Sequence, residues 1–275
     1  MMHAKSRTCL IVLLMLFSAG CRETGSVGDD NPRDNAPVQA QAKVLPSNVI
    51  WIVFDALRAD HLSCYGYERP TTPNLDKLAG GGALFESNHP QAFHTVDSVP
   101  SYLTGRYFPV MCVGYLPWSV MMKTPPENER LIPEIMKSNG YESVLVTAHA
   151  WITEETRLWK AFDTRIPVKP DGSGEGHAMF DRVSKAVLDH LDHRNAEKQF
   201  FMYVHAMDSH TPHAPRPPHD RWMPQGMDEP KPPYSEEGRN YLRGMYDASL
   251  SYADEPFGLL MEELSKRNML DKTIV

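Results

Sequence analysis

The sequence predicts an α/β fold in three layers, with helices on both faces of a mostly parallel sheet. Three short apolar runs, rich in β-branched and aromatic residues, are typical of strands buried on both faces: residues 49–54, 143–147 and 200–205. Helical patterns separate these runs, and strands that alternate with helices form sheets covered on both faces. Residues 273–275 begin what we expect to be a further strand of the same sheet.

Four helices are predicted, and two of them carry clear end signals. The first follows Thr72, a preferred N-cap residue, starts with a proline and stops at the glycines of residues 80–82. The last is predicted over residues 235–268, with an interruption near Pro256, because proline lacks the amide hydrogen that a helix interior needs. The other two are predicted over residues 131–138 and 177–193.

The N-terminal segment is predicted to be a lipoprotein-type signal peptide over residues 1–20. Basic residues precede an apolar run at residues 9–17 that is too short to span a bilayer, and small residues follow it. Because Cys21 comes next, we expect it to be lipidated and to become the anchored N-terminus. An ordinary signal peptide is the alternative. The predicted location is therefore the bacterial cell envelope, lipid-anchored, on the periplasmic or extracellular side.

Residues 21–46 and 47–275 differ in composition. The first segment is rich in Gly, Asp, Asn, Pro, Gln and Ala without apolar periodicity, which predicts a disordered tether ahead of the folded domain. The formal net charge is -7, and Lys and Arg form no stripe, which argues against nucleic acid as a partner. The domain contains Cys64 and Cys112, and two cysteines leave open whether a disulfide forms.

Five short motifs occur in a fixed order through residues 48–275. They are Asp55-Ala-Leu-Arg58-Ala-Asp60-His61, Tyr65-Gly-Tyr67, Thr72-Pro-Asn-Leu-Asp76, Leu103-Thr-Gly-Arg106 and His205-Ala-Met-Asp208-Ser-His210-Thr-Pro212. Each motif is weak alone, but by their order and spacing together the chain resembles the sulfatase family of the alkaline phosphatase superfamily. The resemblance implies an alkaline-phosphatase-like fold, a divalent cation and hydrolysis of sulfate or phosphate esters.

Asp55 is the first predicted metal ligand. It follows the first strand at its carboxyl end, where open α/β sheets bind their ligands, and a carboxylate suits a divalent cation. The resemblance implies the same role. Many sulfatases carry a second Asp at the next position, which is Ala56 here, so the cation's identity stays open among Ca, Zn, Mn and Mg. An Asp that caps a turn at the strand end is the alternative.

Thr95 is the predicted nucleophile and the second predicted metal ligand. No cysteine lies in the family's formylglycine-forming pattern Cys/Ser-x-Pro-x-Arg, and the family spacing to Thr104-Gly-Arg106 places Thr95 at the nucleophile position. A hydroxyl beside a cation at a helix N-terminus gains acidity. Ser98 is the competing nucleophile, and N-capping is the alternative for both. An unmodified threonine favours phosphoryl chemistry, because its ester must be cleaved by a second attack at the central atom.

Four further residues complete the predicted site. His210 and His149 are assigned catalytic roles, His210 as the acid or as the contact of the anionic group. A solvated loop histidine is the alternative for His210. Arg58 and Asp208 are assigned to substrate binding, and a local surface ion pair and a strand-end role are the respective alternatives. His205 is weighed as a supporting group or as an ordinary strand-end residue.

The chain ends at Val275, before the Asp-His-Gly or Asp-Asn-Gly segment that supplies the family's remaining metal ligands. We therefore expect an N-terminal portion of a longer enzyme, and expect this portion alone to be inactive or unstable. The predicted substrate is a small-molecule or glycan sulfate or phosphate ester, with membrane contact only through the Cys21 anchor. A phosphoethanolamine-type transferase of the envelope and an inactive, anion-binding relative are the alternatives.

Overall fold

The computed structural model describes residues 48–107, 125, 128–170 and 176–275. The predicted signal peptide, the Cys21 anchor and the tether lie outside these residues, as does Cys112. These assignments, and a disulfide between Cys64 and Cys112, therefore stay predictions. No helix within the described ranges is long and apolar enough to cross a bilayer.

The described residues form one five-stranded sheet in which every pairing is parallel, as predicted. Its strands are β1 (Asn48–Phe54), β2 (Glu142–Thr147), β3 (Thr164–Pro167), β4 (Phe200–Ala206) and β5 (Thr273–Ile274). The order across the sheet is β3-β2-β4-β1-β5, so β4 lies between β1 and β2. The sequence pattern misses β3, because this edge strand alternates between half-buried and exposed residues and forms no apolar run.

Helices cover both faces of the sheet. In the described ranges they are α1 (Pro73–Gly81), α2 (Thr95–Thr104), α3 (Ile132–Ser138), α4 (Arg157–Lys160), α5 (Phe180–His193) and α6 (Glu236–Lys266). Three short 3₁₀ turns add to them, Ala59–His61, Ser63–Tyr65 and Leu270–Lys272. The three-layer α/β class predicted from the sequence is therefore confirmed.

Successive side chains of each strand point to opposite faces, so the sheet divides the core in two. One cluster joins β4 to α5 and α6 and includes Phe180 and Phe257. The other joins β4 to α2 and contains Leu103 and Tyr203. Burying one such side chain contributes roughly 1.5–3 kcal/mol, so both clusters stabilise the sheet in its observed register. That register fixes the positions of the polar residues at the strand ends.

The predicted capping of α1 by Thr72 is wrong. Thr72 occupies the N-cap position, but its side chain makes no capping hydrogen bond, and its hydroxyl is buried without a partner in the described part of the chain. The carboxylate of Asp254 on α6 takes its place and accepts from the amides of Asn74 and Leu75, both at 2.9 Å. A carboxylate accepts from two free amides, and its negative charge interacts favourably with the positive end of the helix dipole. These two effects explain why the Asp254 carboxylate caps α1 in place of the Thr72 hydroxyl.

The predicted interruption near Pro256 is also wrong, since α6 is continuous through this proline. Proline removes one helical hydrogen bond. Burial of Ala253 and Phe257 in the core against the sheet offsets the free energy lost with that bond. The start of α6 agrees with prediction, as Ser235 Oγ accepts from the amide of Gly238 at 3.1 Å.

Candidate active site

The carboxyl ends of β1, β2 and β4 bring three polar side chains together. Asp55 follows β1 directly, His149 lies two residues beyond β2, and His205 is the penultimate residue of β4. The register places His205 beside both Val53 of β1 and Thr147 of β2. The ligand atoms of the three polar side chains all lie within 4.8 Å of one another. The site therefore occupies the edge at which parallel α/β sheets bind their ligands.

The Asp55 carboxylate is the centre of this cluster. Its Oδ2 accepts a hydrogen bond from Thr95 Oγ1 at 2.8 Å and lies 3.1 Å from His205 Nε2. His149 Nε2 is 3.6 Å from the same oxygen, which is too long for a hydrogen bond. Burial raises the pKa of Asp55, but the hydrogen bonds and charge of its neighbours, led by His205, outweigh burial and hold this pKa well below the usual range. The carboxylate is therefore ionised.

The turn that carries Asp55 is held by side chains from two other segments. Ser209 Oγ donates to the carbonyl oxygen of Asp55 at 2.7 Å. The next residue, Ala56, has φ of 58°, in the left-handed region, which costs a non-glycine residue roughly 1–2 kcal/mol. The Tyr246 hydroxyl from α6 donates to the carbonyl of Ala56 and accepts from the amide of Arg58, both at 2.8 Å. These contacts fix the direction of the Asp55 side chain.

Thr95 and Ser98, the two nucleophile candidates, occupy different positions on α2. Thr95 is the first residue of the helix and its hydroxyl points to Asp55, while the N-cap residue is His94. The hydroxyl of Ser98 lies one turn later and donates to backbone carbonyls, at 2.8 Å from that of Ala92 and 2.9 Å from that of His94. Thr95 therefore does not serve as the helix cap, and of the two hydroxyls it is the one that contacts Asp55.

A backbone amide fixes the orientation of the His149 ring. The amide of Trp151 donates to His149 Nδ1 at 3.1 Å, and the indole ring lies edge-on to the imidazole at 5.3 Å. Burial, reinforced by the charge of His205 and opposed by that of Asp55, lowers the pKa of His149 to about 3. The ring is therefore neutral near pH 7 and suited to hydrogen bonding.

His210 lies half-buried in the loop that follows β4. Its Nδ1 is 2.6 Å from the carbonyl oxygen of Thr211, and a carbonyl only accepts, so Nδ1 carries a hydrogen. The other nitrogen, Nε2, is thereby left to exchange a proton or to contact a ligand. The sequence assigns His210 a catalytic role, and this geometry is compatible with it.

A further buried histidine, His177, lies close to this loop. A Cβ added to the preceding Gly176 would lie 2.9 Å from Pro212 Cδ, so the two segments pack tightly. His177 Nε2 is buried and has no hydrogen-bond partner among the described residues. Burial and the charge of His210 lower the pKa of His177, while Asp55 opposes them. His177 therefore lies within electrostatic range of His210 and Asp55, although no sequence motif singles it out.

The two predicted substrate-binding residues already have protein partners. Arg58 forms a two-pronged pair with Asp60, with hydrogen bonds of 2.9 and 2.7 Å, and both side chains are partly exposed. Asp208 is fully buried, and its Oδ1 accepts from the amide of Phe180 at 3.0 Å, at the start of α5. These contacts correspond to the structural alternatives weighed for both residues. Substrate binding by either stays a prediction.

The donor atoms of the cluster fit a divalent cation. An ionised carboxylate and a hydroxyl lie 2.8 Å apart, and two imidazole rings face the same carboxylate oxygen. The carboxylate and hydroxyl oxygens suit calcium, magnesium, manganese or zinc, and only an imidazole ligand would favour zinc among them, so the identity of the cation stays open.

A family model described as Sulfatase matches residues 47–275. The chain belongs to the sulfatase family. Human arylsulfatase A is 34% identical over 99 residues, which covers 35% of this chain and 19% of that protein. The sulfatase chain thus aligns with about a fifth of the length of this curated relative.

Solved structures of low sequence identity share the fold of this sulfatase-family chain. The C-terminal periplasmic domain of EcEptC from Escherichia coli, in complex with Zn, gives a TM-score of 0.60 at 18% identity, over 82% of this chain and 61% of that chain. The soluble domain of lipooligosaccharide phosphoethanolamine transferase A from Neisseria meningitidis gives 0.61 at 18% identity, over 85% and 65%. BT4656 in complex with its substrate D-glucosamine-2-N,6-O-disulfate gives 0.61 at 17% identity, over 82% and 63%. The alkaline-phosphatase-like fold is therefore shown.

Two residues that support the sulfatase-family site are not singled out by the sequence. Ser209 holds the Asp55 backbone, and Tyr203 contacts His205 from within β4. His177, whose pKa responds to the charges of His210 and Asp55, also belongs to no motif. One signal was available for Tyr203, since Tyr203 and His205 alternate along the strand and must share a face. The contact of His205 with Asp55 depends on β4 lying beside β1, which the sequence pattern does not specify.

Proposed function

We propose that this protein is a metal-dependent hydrolase of sulfate or phosphate esters with Thr95 as its nucleophile. The observation that carries the proposal is the 2.8 Å hydrogen bond from Thr95 Oγ1 to Asp55 Oδ2 at the N-terminus of α2. The hydroxyl is not used to cap its helix, and it donates to the ionised carboxylate of Asp55 at the sheet edge. Such a position is typical of an activated nucleophile.

The two oxygen-bearing residues, Asp55 and Thr95, would hold the divalent cation. A cation bound there would lower the pKa of the hydroxyl and neutralise negative charge on the transferred group. Asp55 alone is a weak base for a threonine hydroxyl, because its pKa is held below the usual range. Metal dependence is therefore part of the proposal.

The reaction would proceed by two displacements. Thr95 Oγ attacks the sulfur or phosphorus atom, its proton passes along the hydrogen bond to Asp55, and the bond to the leaving oxygen breaks as His210 Nε2 protonates that oxygen. Water then attacks the same central atom, His210 takes a proton from the water, and Thr95 departs as its proton returns. His149, which is neutral, would donate a hydrogen bond to an oxygen of the transferred group.

The substrate class remains that inferred from the sequence, a small-molecule or glycan ester. The family membership and the glucosamine disulfate bound by BT4656 support a sulfated glycan. The unmodified threonine supports a phosphate ester, because its ester is released by a second attack on the central atom.

The test measures turnover of an aryl sulfate and an aryl phosphate by the full-length gene product. We expect activity that a chelator removes and an added divalent cation restores. Thr95→Ala should lower kcat by about 10³-fold or more, while the matched Ser98→Ala control stays within about 3-fold of the parent enzyme. Full activity of Thr95→Ala together with loss in Ser98→Ala would overturn the nucleophile assignment. A folded protein without turnover of either ester would support the inactive, anion-binding alternative.

A second candidate function is transfer of a phosphoethanolamine-type group to an envelope acceptor. The fold likeness to the phosphoethanolamine transferase A domain, at a TM-score of 0.61, supports it. The chemistry differs in the second step, where an acceptor hydroxyl replaces water. Product analysis separates the two, because hydrolysis releases the free acid and transfer leaves the group on the acceptor.

A further inference from the structure

We propose that His149 and His205 are not ligands of the cation. Each keeps a hydrogen on Nε2 and acts as a hydrogen-bond donor, so Asp55 and Thr95 are the cation ligands among the described residues. The inference rests on the proposed function for the presence of a cation. The spacing of the three side chains, within 4.8 Å, would equally fit an Asp-His-His metal site. The positions of the hydrogens decide between the two arrangements.

For His149 the backbone fixes the position of the hydrogen. The amide of Trp151 donates to His149 Nδ1 at 3.1 Å, so Nδ1 must offer a lone pair. A neutral imidazole carries one hydrogen, which must then lie on Nε2. A cation on Nε2 would force that hydrogen onto Nδ1, where it would face the amide hydrogen of Trp151. Coordination by His149 would therefore break one hydrogen bond and oppose two donors.

For His205, two tyrosine hydroxyls fix the position of the ring hydrogen. Tyr203 Oη lies 2.8 Å from His205 Nδ1, and Tyr102 Oη lies 2.5 Å from Tyr203 Oη. Each hydroxyl has one hydrogen to donate. The assignment that uses every hydrogen runs from Tyr102 to Tyr203, from Tyr203 to His205 Nδ1, and from His205 Nε2 to Asp55 Oδ2 at 3.1 Å.

Coordination by His205 would reverse this chain of hydrogen bonds. The hydrogen would move to Nδ1 and point at Tyr203, which would then donate to Tyr102. The Tyr102 hydrogen would have no acceptor among the described contacts, because the nearby unpartnered polar atom, Trp51 Nε1, is itself a donor. Leaving a buried donor unsatisfied costs roughly 1–3 kcal/mol. The two tyrosines are thus positioning residues that hold His205 in its donor form.

The two oxygens of the Asp55 carboxylate then have different roles. Thr95 and His205 both donate to Oδ2, which leaves Oδ1 for the cation. His149 Nε2, at 3.6 Å from Oδ2, is too distant to be satisfied by Asp55 and can donate to an oxygen of the substrate. The histidines orient the carboxylate and the substrate, while oxygen atoms bind the cation.

The test is a histidine-selective ¹⁵N NMR experiment on the protein at about pH 8, above the ordinary imidazole pKa. Two-bond correlations show which ring nitrogen carries the hydrogen, and His149→Gln and His205→Gln spectra assign the signals. We expect a hydrogen on Nε2 of both residues. His193 serves as the internal control of opposite tautomer, because its Nδ1 lies 2.6 Å from the carbonyl oxygen of Asp189. A bare Nε2 on His149 or His205 in the cation-free protein overturns the proposal for that residue.

Addition of Zn²⁺ provides the second arm. Both Nε2 signals should stay protonated, and loss of either hydrogen on titration would show coordination and overturn the proposal. Calorimetry should give a Zn²⁺ Kd for His205→Gln within about 3-fold of the parent value, because the glutamine amide still donates to Asp55. His205→Ala should weaken binding by about 10–100-fold, as losses of supporting residues do. Equal losses in the two variants would contradict the donor role.

The hydrogen positions are read from spectra, whereas the proposed reaction is read from turnover. An inactive protein with Nε2 protonated on both histidines would refute the function and leave the hydrogen assignment standing. An active protein with a bare Nε2 on either histidine would support the function and refute the hydrogen assignment for that residue. Tyr203→Phe adds a check, because loss of the hydroxyl donor should let His205 populate both tautomers, and Tyr67→Phe, which removes a hydroxyl bonded to Asp247, should not.

Discussion

Asp208 shows how the surroundings of one residue change its chemistry. Its side chain is buried, Oδ1 accepts from the Phe180 amide, and Oδ2 has no partner among the described residues. Burial raises the pKa of Asp208 to about 7. A carboxyl group with a pKa of about 7, two residues before His210 in the chain, is an unusual feature that the sequence motif could not reveal, because the pKa depends on what α5 and β4 place around the side chain.

The first prediction concerns the pH dependence of stability. An unfolded Asp has a pKa of about 4, so between about pH 4 and about pH 7 the folded state holds a proton that the unfolded chain has lost. The free energy of unfolding should therefore fall as pH rises through this window. Asp208→Asn removes this titration while keeping the acceptor, and the difference between the two proteins should change by roughly 2–4 kcal/mol across the window.

Urea unfolding at about pH 4.5 and about pH 8 measures this difference. At the lower pH the two proteins should be close in stability, which controls for the effect of the substitution itself. Parallel pH profiles of the parent and the Asp208→Asn variant would show that Asp208 ionises normally in the folded state.

At the scale of the helices, the N-terminus of α1 depends on a residue far away in the sequence. Asp254 on α6 accepts from two amides of α1 and from the side chain of Asn74, at 3.0 Å. Thr72, which lies where a cap is expected, has a buried hydroxyl without a partner in the described ranges. The sequence locates this helix correctly and assigns its cap to the wrong residue.

The second prediction separates the two caps. Thr72→Val replaces an unpaired hydroxyl by a methyl group of similar size and should leave stability unchanged or raise it by up to about 1 kcal/mol. Asp254→Ala should lower the free energy of unfolding by about 2 kcal/mol, because two amides and a side chain lose their acceptor. Chemical denaturation measures both. If Thr72→Val costs about 1 kcal/mol and Asp254→Ala costs nothing, the threonine is the cap after all.

Sequence reasoning succeeds at this scale where the signal is local. The apolar runs of β1, β2 and β4 and the end signals of α1 and α6 locate these elements to within a few residues. It fails where a partner from elsewhere decides the outcome. The Asp254 carboxylate replaces the Thr72 cap, and packing on the sheet carries α6 through Pro256.

For the molecule as a whole, a buried carboxylate on α6 ties the long helix to the segment that follows the Asp55 turn. Asp247 Oδ1 lies 2.6 Å from His61 Nδ1, and Oδ2 accepts from Tyr67 Oη and from Arg69 Nη1, both at 2.8 Å. Asp247 itself has no exposed surface. Three partners more than 170 residues away in the chain therefore share one anchor.

The third prediction tests this anchor. Asp247→Asn should lower the free energy of unfolding by about 2–3 kcal/mol, since an amide cannot accept from all three donors and leaves Arg69 without its counter-charge. The matched control is Asp192→Asn, which removes an exposed partner of Arg267 and should change stability by less than about 0.5 kcal/mol. Similar effects of the two substitutions in a thermal or urea unfolding experiment would argue against the anchor.

The candidate site was partly predictable at this scale. Asp55 and Thr95 follow from motif spacing, and the structure brings them into contact. The part played by His205 was not predictable, because it depends on the order of the strands, in which β4 separates β1 from β2. No pattern within β4 states which strands it will join.

The same strand order has a consequence for the growing polypeptide. β1 and β2 emerge from the ribosome well before β4, yet neither is the neighbour of the other, so the central position of the sheet stays empty until residues 200–206 have been made. Until then each of these apolar strands presents a backbone edge whose hydrogen bonds are unpaired, and such edges are prone to aggregate. Insertion of β4 then joins β1 to β2 and delivers His205 to Asp55, so assembly of the sheet centre also brings Asp55, His149 and His205 together.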